Sequence, residues 1–185
     1  MWGGGHNDYS GNEVYSLNLN SNPVTMTRLN DPSVPPVSNS SPTCPETMSD
    51  GKPNARHTYG SLIYIEHADK LFSYGGAVSC GEGTNSAATW ILDPVTLQWT
   101  RKDPTNGAAG QKPSDYSHSG PSTLAAYDPN SRLIFVSDDG RRLFSYNYDT
   151  NTYALLNGNA GFSFEGSFVV APNSKLLLSF GWDYY

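Results

Sequence analysis

Basic charge, cysteine and long apolar runs are all scarce in this chain of 185 residues. Each scarcity removes a class of protein. Eleven Lys and Arg stand against 17 Asp and Glu, for a net charge of −6, so no basic stripe exists to track a phosphate backbone and nucleic acid is excluded as a partner. No apolar run approaches the ~18 residues of a membrane-spanning helix. The two cysteines, Cys44 and Cys80, are too few for a disulfide framework and lack metal-ligand spacing, so no metal or cofactor is expected. Charged residues make up only 15%, too few for a solvated disordered chain. A sustained helical period is also missing, and α-helices are not expected.

Turn formers and aromatics are abundant instead. Eighteen Gly and 13 Pro accompany 12% aromatic residues, 12 of them Tyr. That mixture favours short strands joined by tight loops, and the length suits one domain or part of one larger all-β domain. Richness in Asn, Ser, Thr, Tyr and Gly with little Lys resembles secreted β proteins. One glycosylation sequon, at Asn39, falls in a Pro/Ser-rich stretch, although such triplets are common by chance.

The chain repeats itself. "EVYSLNLNSNPVTMTRLNDP", "ATWILDPVTLQWTRKDP" and "RLFSYNYDTNTYALLNG" each read as a strand with an early aromatic (Tyr15, Trp90, Phe144), a polar turn and a second short strand around Met26, Trp99 or Tyr153. A second kind of hairpin occurs in "YGSLIYIEHADKLFSYGG", "PSTLAAYDPNSRLIFVSDDG" and "EGSFVVAPNSKLLLSFGW", with turns at His67–Asp69, Asp128–Asn130 and Pro172–Asn173. Its anchors Leu71, Leu133 and Leu176 recur roughly every 40 to 60 residues, the period of four-stranded propeller blades. About thirteen strands are expected, the first unit opening at its second strand in "MWGGG" and the last closing after its second in "SFGWDYY".

Glycine pairs after an apolar strand, a variable loop, an aromatic-bearing strand, a turn and a Trp, best seen in "LFSYGG…ATWILDPVTLQWTR", resemble kelch repeats. Together with "GGGHNDYSGNEVYSLNL" and "ARHTYGSLIYI", the pattern is similar to bacterial kelch-type propellers of the galactose-oxidase-like superfamily. Ser137-Asp138-Asp139 and Phe180-Gly181 depart from the glycine pair. The resemblance implies an all-β fold of about three and a half four-stranded blades within a single partial propeller domain, 1–185, with blades near 1–30, 56–103, 118–157 and 161–185. Kelch rings usually close with six or seven blades. The expectation is therefore a fragment of a longer protein, or chains that self-associate to complete a ring.

In such blades the second-to-third-strand loops and the inter-blade connections share one face, where this fold usually binds ligands. His6, Asn7, Asp8 and Tyr9 fall in the first such loop, either as a hydrogen-bonding patch or as residues bonding their own backbone. Arg56, His57 and Tyr59 open the second unit, and His118 and Glu165 stand at matching places in the third and fourth. Convergence of these side chains would form a polar pocket; alternatively, Arg56 and His57 bridge loop carbonyls. Blade logic also puts Cys44 and Cys80 on that face at adjacent positions, a disulfide candidate that would imply an oxidising compartment. No cysteine matches the copper-site context of galactose oxidase, so no copper residues are carried over, and Asp138-Asp139-Gly140 reads as a turn rather than a calcium loop. The repeated aromatics Trp2, Trp90, Trp99, Tyr15, Phe144 and Tyr153 read as core.

Three functions follow as expectations from this resemblance: a secreted or periplasmic binding or scaffold module recognising carbohydrate or protein, a sugar-active enzyme of the oxidase or mutarotase kind, or a structural protein joining through open blade edges. A shared fold does not choose among them.

Overall fold

The computed structural model describes residues 1–3, 9–34, 44–79, 84–102, 110–116, 123–138, 141–162 and 164–182. Among them are fifteen strands in five small antiparallel sheets and two single-turn 3₁₀ segments, with no α-helix. Strands β1 (Tyr15–Asn18) and β2 (Thr25–Arg28) form a hairpin. β3 (Arg56–His57), β6 (Ala77–Val78) and β7 (Thr84–Asn85) form a three-stranded sheet. β4 (Leu62–Ile65), β5 (Lys70–Tyr74), β8 (Thr89–Leu92) and β9 (Trp99–Lys102) make the first four-stranded sheet. β10 (Thr123–Asp128), β11 (Leu133–Asp138), β12 (Arg142–Asn147) and β13 (Thr152–Asn157) make the second. β14 (Phe164–Ala171) pairs with β15 (Leu176–Trp182).

Local chemistry sets the hairpins. In four of the turns an Asx side chain accepts backbone N–H groups from residues two or three positions on: Asn18 from Asn20, Asp93 from Val95 and Thr96, Asp128 from Asn130 and Ser131, and Asn147 from Thr150. These bonds hold the turn closed without help from the sheet. Asp69, Leu97, Arg132, Asn151 and Lys175 adopt the left-handed backbone conformation at the last turn positions of five hairpins, with φ between 51° and 59°.

The first strands of three units lie side by side. Gly60, just before β4, bridges Leu124 of β10 in parallel: its N–H donates to the Thr123 carbonyl (3.1 Å) and its carbonyl accepts from Ala125 (3.0 Å). β10 in turn packs beside β14. The approach is close enough that a Cβ on Gly60 would meet the Gly166 carbonyl oxygen at 3.2 Å and Leu124 at 3.3 Å, so only glycine fits without movement. The main core fills the space between the two four-stranded sheets. It contains Ile65, Phe72, Tyr74 and Ile91 on one side and Ile134, Val136, Phe144, Tyr146 and Tyr153 on the other.

The hairpins fall where the repeats put them, but two expectations change. Arg56 and His57 do not begin the strand that continues to Ile65. They form the separate strand β3, because Tyr59 turns the chain at φ 49° before Ser61. Likewise Gly75 and Gly76, at φ 63° and 87°, end β5 and send Ala77–Val78 into the same small sheet. The strand number therefore rises from about thirteen to fifteen. Only two of the five sheets have four strands among the described residues. Trp2–Gly3 is not a strand, yet Met1 exchanges both backbone hydrogen bonds with Tyr15 and so sits where a neighbour of β1 would.

Candidate binding face

Of the residues singled out by the repeat, Tyr9, Cys44, Arg56, His57 and Tyr59 are among the described residues. Arg56 is their centre. Its side chain is fully buried, and four acceptors take its protons: the Asn54 carbonyl (3.2 Å), the Gly75 carbonyl (3.2 Å), Ser86 Oγ (2.9 Å) and Glu46 Oε1 (2.6 Å). Trp90 Nε1 donates to the same Glu46 oxygen at 2.7 Å, and the guanidinium stands 5.8 Å from the centre of the Trp2 ring. Burial lowers the Arg56 pKa from its ordinary value while Glu46 pulls it back up. An arginine stays protonated under such conditions, and a buried charge of this kind needs its partner. Arg56 thus ties Glu46 and Asn54 to the chain at Gly75, just after β5, and at Ser86, just after β7.

A second network holds the other end of that segment. Buried Asn12 donates from Nδ2 to Ser33 Oγ and the Pro53 carbonyl, both at 2.8 Å, and accepts from the Ser33 N–H at 2.8 Å. Ser33 Oγ then donates to Asp50, which pairs with Lys52 at 3.0 Å. Cys44, at the head of the segment, is disulfide-bonded. Its candidate partner Cys80 lies outside the described residues.

His57 and Tyr59 stack face to face, ring centres 3.8 Å apart and 15° from parallel, both half-buried. Tyr9 is exposed, on the far side of a buried Glu13 whose Oε1 accepts from the Tyr15 hydroxyl at 2.8 Å. The phenols of Tyr9 and Tyr15 are both raised above the ordinary tyrosine value, Tyr9 by partial desolvation of its hydroxyl end together with its bond to Glu13, although the residue as a whole is exposed, and Tyr15 chiefly by its bond to Glu13. His6, Asn7, Asp8, His118 and Asn39 lie outside the described residues, as does the side chain of Glu165, whose backbone belongs to β14. Of the expected pocket, Arg56 and His57 are successive residues of β3, Tyr59 stacks on His57, and Tyr9 lies against Glu13.

A cluster the sequence reading passed over sits where β11 ends and β12 begins. Asp138 is fully buried and accepts from Arg142 at 2.6 Å, and Arg142 lies 4.0 Å over the Tyr116 ring. Fully buried Tyr74 and Tyr153 line the core beneath; burial drives both phenols well above their ordinary value, and Asp138 adds to the effect on Tyr74. Glu46 stands far in sequence from its partners Arg56 and Trp90, and Asp138, expected as a turn residue, instead closes strand β11 with its side chain buried. The Arg142–Asp138 spacing of four residues resembles a surface pair until β11 and β12 are seen to bury it. Trp2, Trp90, Phe144 and Tyr153 are buried, as expected of core, while Trp99 and Tyr15 are half-buried.

No protein-family model matches the chain, and no curated protein sequence matches it.

Proposed function

We propose that the chain is part of a kelch-type β-propeller that works outside the cytoplasm as a binding module, taking carbohydrate or protein ligands on the strand-end face. The observation that carries this reading is the building of residues 44–54 onto that face. A disulfide at Cys44, the buried Arg56–Glu46–Trp90 triad and the Asn12–Ser33–Asp50 network hold one long connection from three sides. Long loops held this firmly on a rigid sheet scaffold are where recognition usually resides. The side-by-side first strands β4, β10 and β14 support a blade-like arrangement. The bonded cysteine supports an oxidising compartment, and we assign its partner as Cys80.

Binding is favoured over sugar chemistry. Arg56, which an acid/base mechanism would need, gives its protons to internal acceptors. The stacked His57–Tyr59 pair is the accessible aromatic surface nearest to it. The test is a nuclear magnetic resonance titration of the chain with a panel of neutral and acidic oligosaccharides. Shifts should concentrate at His57, Tyr59 and Tyr9, and His57→Ala with Tyr59→Ala should weaken binding by about tenfold or more, as loss of an aromatic contact does. Shifts confined to the hairpin-turn end would overturn the reading. Peptide mapping without reductant should recover Cys44 and Cys80 in one linked fragment.

A further inference from the structure

Three polar side chains from three elements line up where the two four-stranded sheets meet near their turns. His67, on the 3₁₀ turn Glu66–Ala68 between β4 and β5, reaches the other sheet with both ring nitrogens. Its Nδ1 lies 2.8 Å from the hydroxyl of Tyr127, near the end of β10. Its Nε2 lies 3.3 Å from Oδ1 of Asp149, in the turn between β12 and β13. Neighbouring rings hold the imidazole: Tyr127 is near-parallel to it, 5.8 Å away at 19°, and Tyr148, under the Lys102 ammonium at 5.6 Å, meets it edge-on at 6.1 Å. The His67 side chain is 14% exposed, that of Asp149 is 55% exposed and Tyr127 is half-buried, so the cluster is open to small molecules from solvent.

The partners fix the direction of both bonds. An ionised carboxylate only accepts, so Nε2 carries the proton that faces Asp149. In the neutral ring Nδ1 is then an acceptor, and the Tyr127 O–H donates to it. Phenol, imidazole and carboxylate thus stand in the order of a hydroxyl nucleophile, its general base and the group that orients the base. The imidazole can take the phenol proton and keep both bonds, because the imidazolium then donates to a phenolate on one side and a carboxylate on the other. Other phenols of this chain have weaker bases beside them. Tyr64 donates to Asp69, Tyr15 to Glu13 and Tyr146 to the side-chain oxygen of Asn151, each at 2.8 Å. A carboxylate is on the order of 2 pK units less basic than an imidazole, and an amide far less.

We propose that Tyr127, His67 and Asp149 form an acyl-transfer site for neutral aryl esters. Tyr127 is the nucleophile, His67 its general base and Asp149 a positioning residue. As Oη bonds to the acyl carbon, the phenol proton passes to His67 Nδ1. The bond from that carbon to the aryl oxygen then breaks, and this oxygen takes the proton, which releases a phenol and leaves an acyl-tyrosine. Water adds to the acyl carbon by the same route and gives its proton to Nδ1. The Tyr127 oxygen leaves, recovers that proton, and a carboxylic acid is released. Exchange of one aryl ester for another is nearly balanced in energy, which suits an aryl donor better than an alkyl one. Asp149 beside the ring, with Glu66 and Asp69 flanking His67 in sequence, disfavours an anionic phosphoryl or sulfuryl donor. The site uses none of the residues of the proposed binding face and does not depend on what that face takes.

The probe is p-nitrophenyl acetate, added to the purified full chain near neutral pH, with an acid quench and peptide mass mapping of the acetyl group. Tyr127 should be acetylated faster than Tyr64, which is 50% exposed and bonded at the same distance to a carboxylate. Tyr127→Phe, which removes only the hydroxyl, should abolish the nitrophenolate burst. His67→Gln should slow acetylation of Tyr127 about a hundredfold, the low end of what a positioned general base supplies. Imidazole added to His67→Gly should restore part of the rate. Asp149→Glu should retain most of the rate that Asp149→Ala loses. Acetylation of Tyr64 ahead of Tyr127 would overturn the proposal. So would an unchanged rate in His67→Gln, a burst that persists in Tyr127→Phe with the acetyl group on His67, or equal rates for Asp149→Ala and the parent chain.

Discussion

The sheet β10–β13 has two faces that are covered differently. One meets β4, β5 and β8 across a continuous aromatic layer: Phe72 on Tyr146, Tyr146 on Tyr153 at 4.7 Å, and Phe144 edge-on to Tyr153. Among the described residues the other meets the hairpin β14–β15. Its inner part is closed by Leu124, Ala126 and Phe168, with Phe162 edge-on to Phe168, and its outer part is an open groove. The two faces are built from strands of similar sequence. What differs among the described residues is the number of strands opposite: the four-stranded partner brings its third strand into the gap, and the two described strands β14 and β15 do not reach it. In this molecule the aromatic positions become core only when the neighbouring sheet is wide enough to reach them.

The largest test of this contrast compares truncations on the two faces. Tyr146→Ala and Phe144→Ala remove fully buried rings and should each cost about 3–5 kcal/mol in urea unfolding. Phe135→Ala, on the groove side, should cost less than about half of that, because the groove already leaves part of the ring without packing partners. Equal losses would erase the distinction. Insertion should reverse the order. Ala125→Leu pushes into the closed layer and should cost about 1–3 kcal/mol, whereas Val170→Phe grows into the groove and should be neutral or stabilising.

Alkaline titration separates the closed face from the surface. Burial holds the phenols of Tyr74, Tyr146 and Tyr153 above the value of 10.0 that they regain on unfolding. The folded-state value is raised, so this contribution is fully present below pH 10 and declines as the pH climbs from there toward the folded values. Exposed phenols such as Tyr9 and Tyr64 can ionise on the folded chain, whereas the last three of the twelve phenolates should appear only together with loss of structure. Ionisation of all twelve before unfolding would mean that these rings reach solvent in the native state.

The smallest effect belongs to the turns. The folded pKa of Asp93 is lowered chiefly by the N–H groups of Thr96 and Val95, and that of Asp128 chiefly by the Ser131 hydroxyl. Their contribution is present above the unfolded carboxylate value, about 4, and fades as the pH falls through the lower folded values. Asp93→Ala and Asp128→Ala should each lower the unfolding midpoint slightly at pH 7 and flatten its dependence between pH 5 and 2. A wild-type acid slope in both variants would dismiss the turn carboxylates as contributors.

Much of this was legible in the sequence, and for local reasons. A turn that closes through Asp93 or Asp128 needs only neighbouring residues, and the alternation around it needs only the pleat. Hence all the hairpins stand where the repeats place them. What escaped the sequence depends on residues far apart. Whether Arg56 faces solvent or is enclosed depends on Glu46, Gly75 and Ser86, which come from three other stretches of chain. The detour of β3 and β6 into a separate sheet follows from backbone torsions at Tyr59, Gly75 and Gly76, and a tyrosine in the left-handed region carries no compositional mark. The burial of Asp138 is likewise a matter of which sheets stack, not of its neighbours.

Five hairpins place a residue with a side chain in the left-handed region: Asp69, Leu97, Arg132, Asn151 and Lys175. For Leu, Arg and Lys that conformation costs roughly 1–2 kcal/mol over glycine, offset in part by about 0.5–1 kcal/mol of extra chain entropy when glycine is fixed. The chain therefore holds an untapped thermostability reserve, spread over three solvent-side turns. Glycine at positions 97, 132 and 175 draws on it without touching the core or the strand-end face, although Lys175 also lines the groove, and makes a sturdier background on which destabilising binding-site variants can still be studied folded.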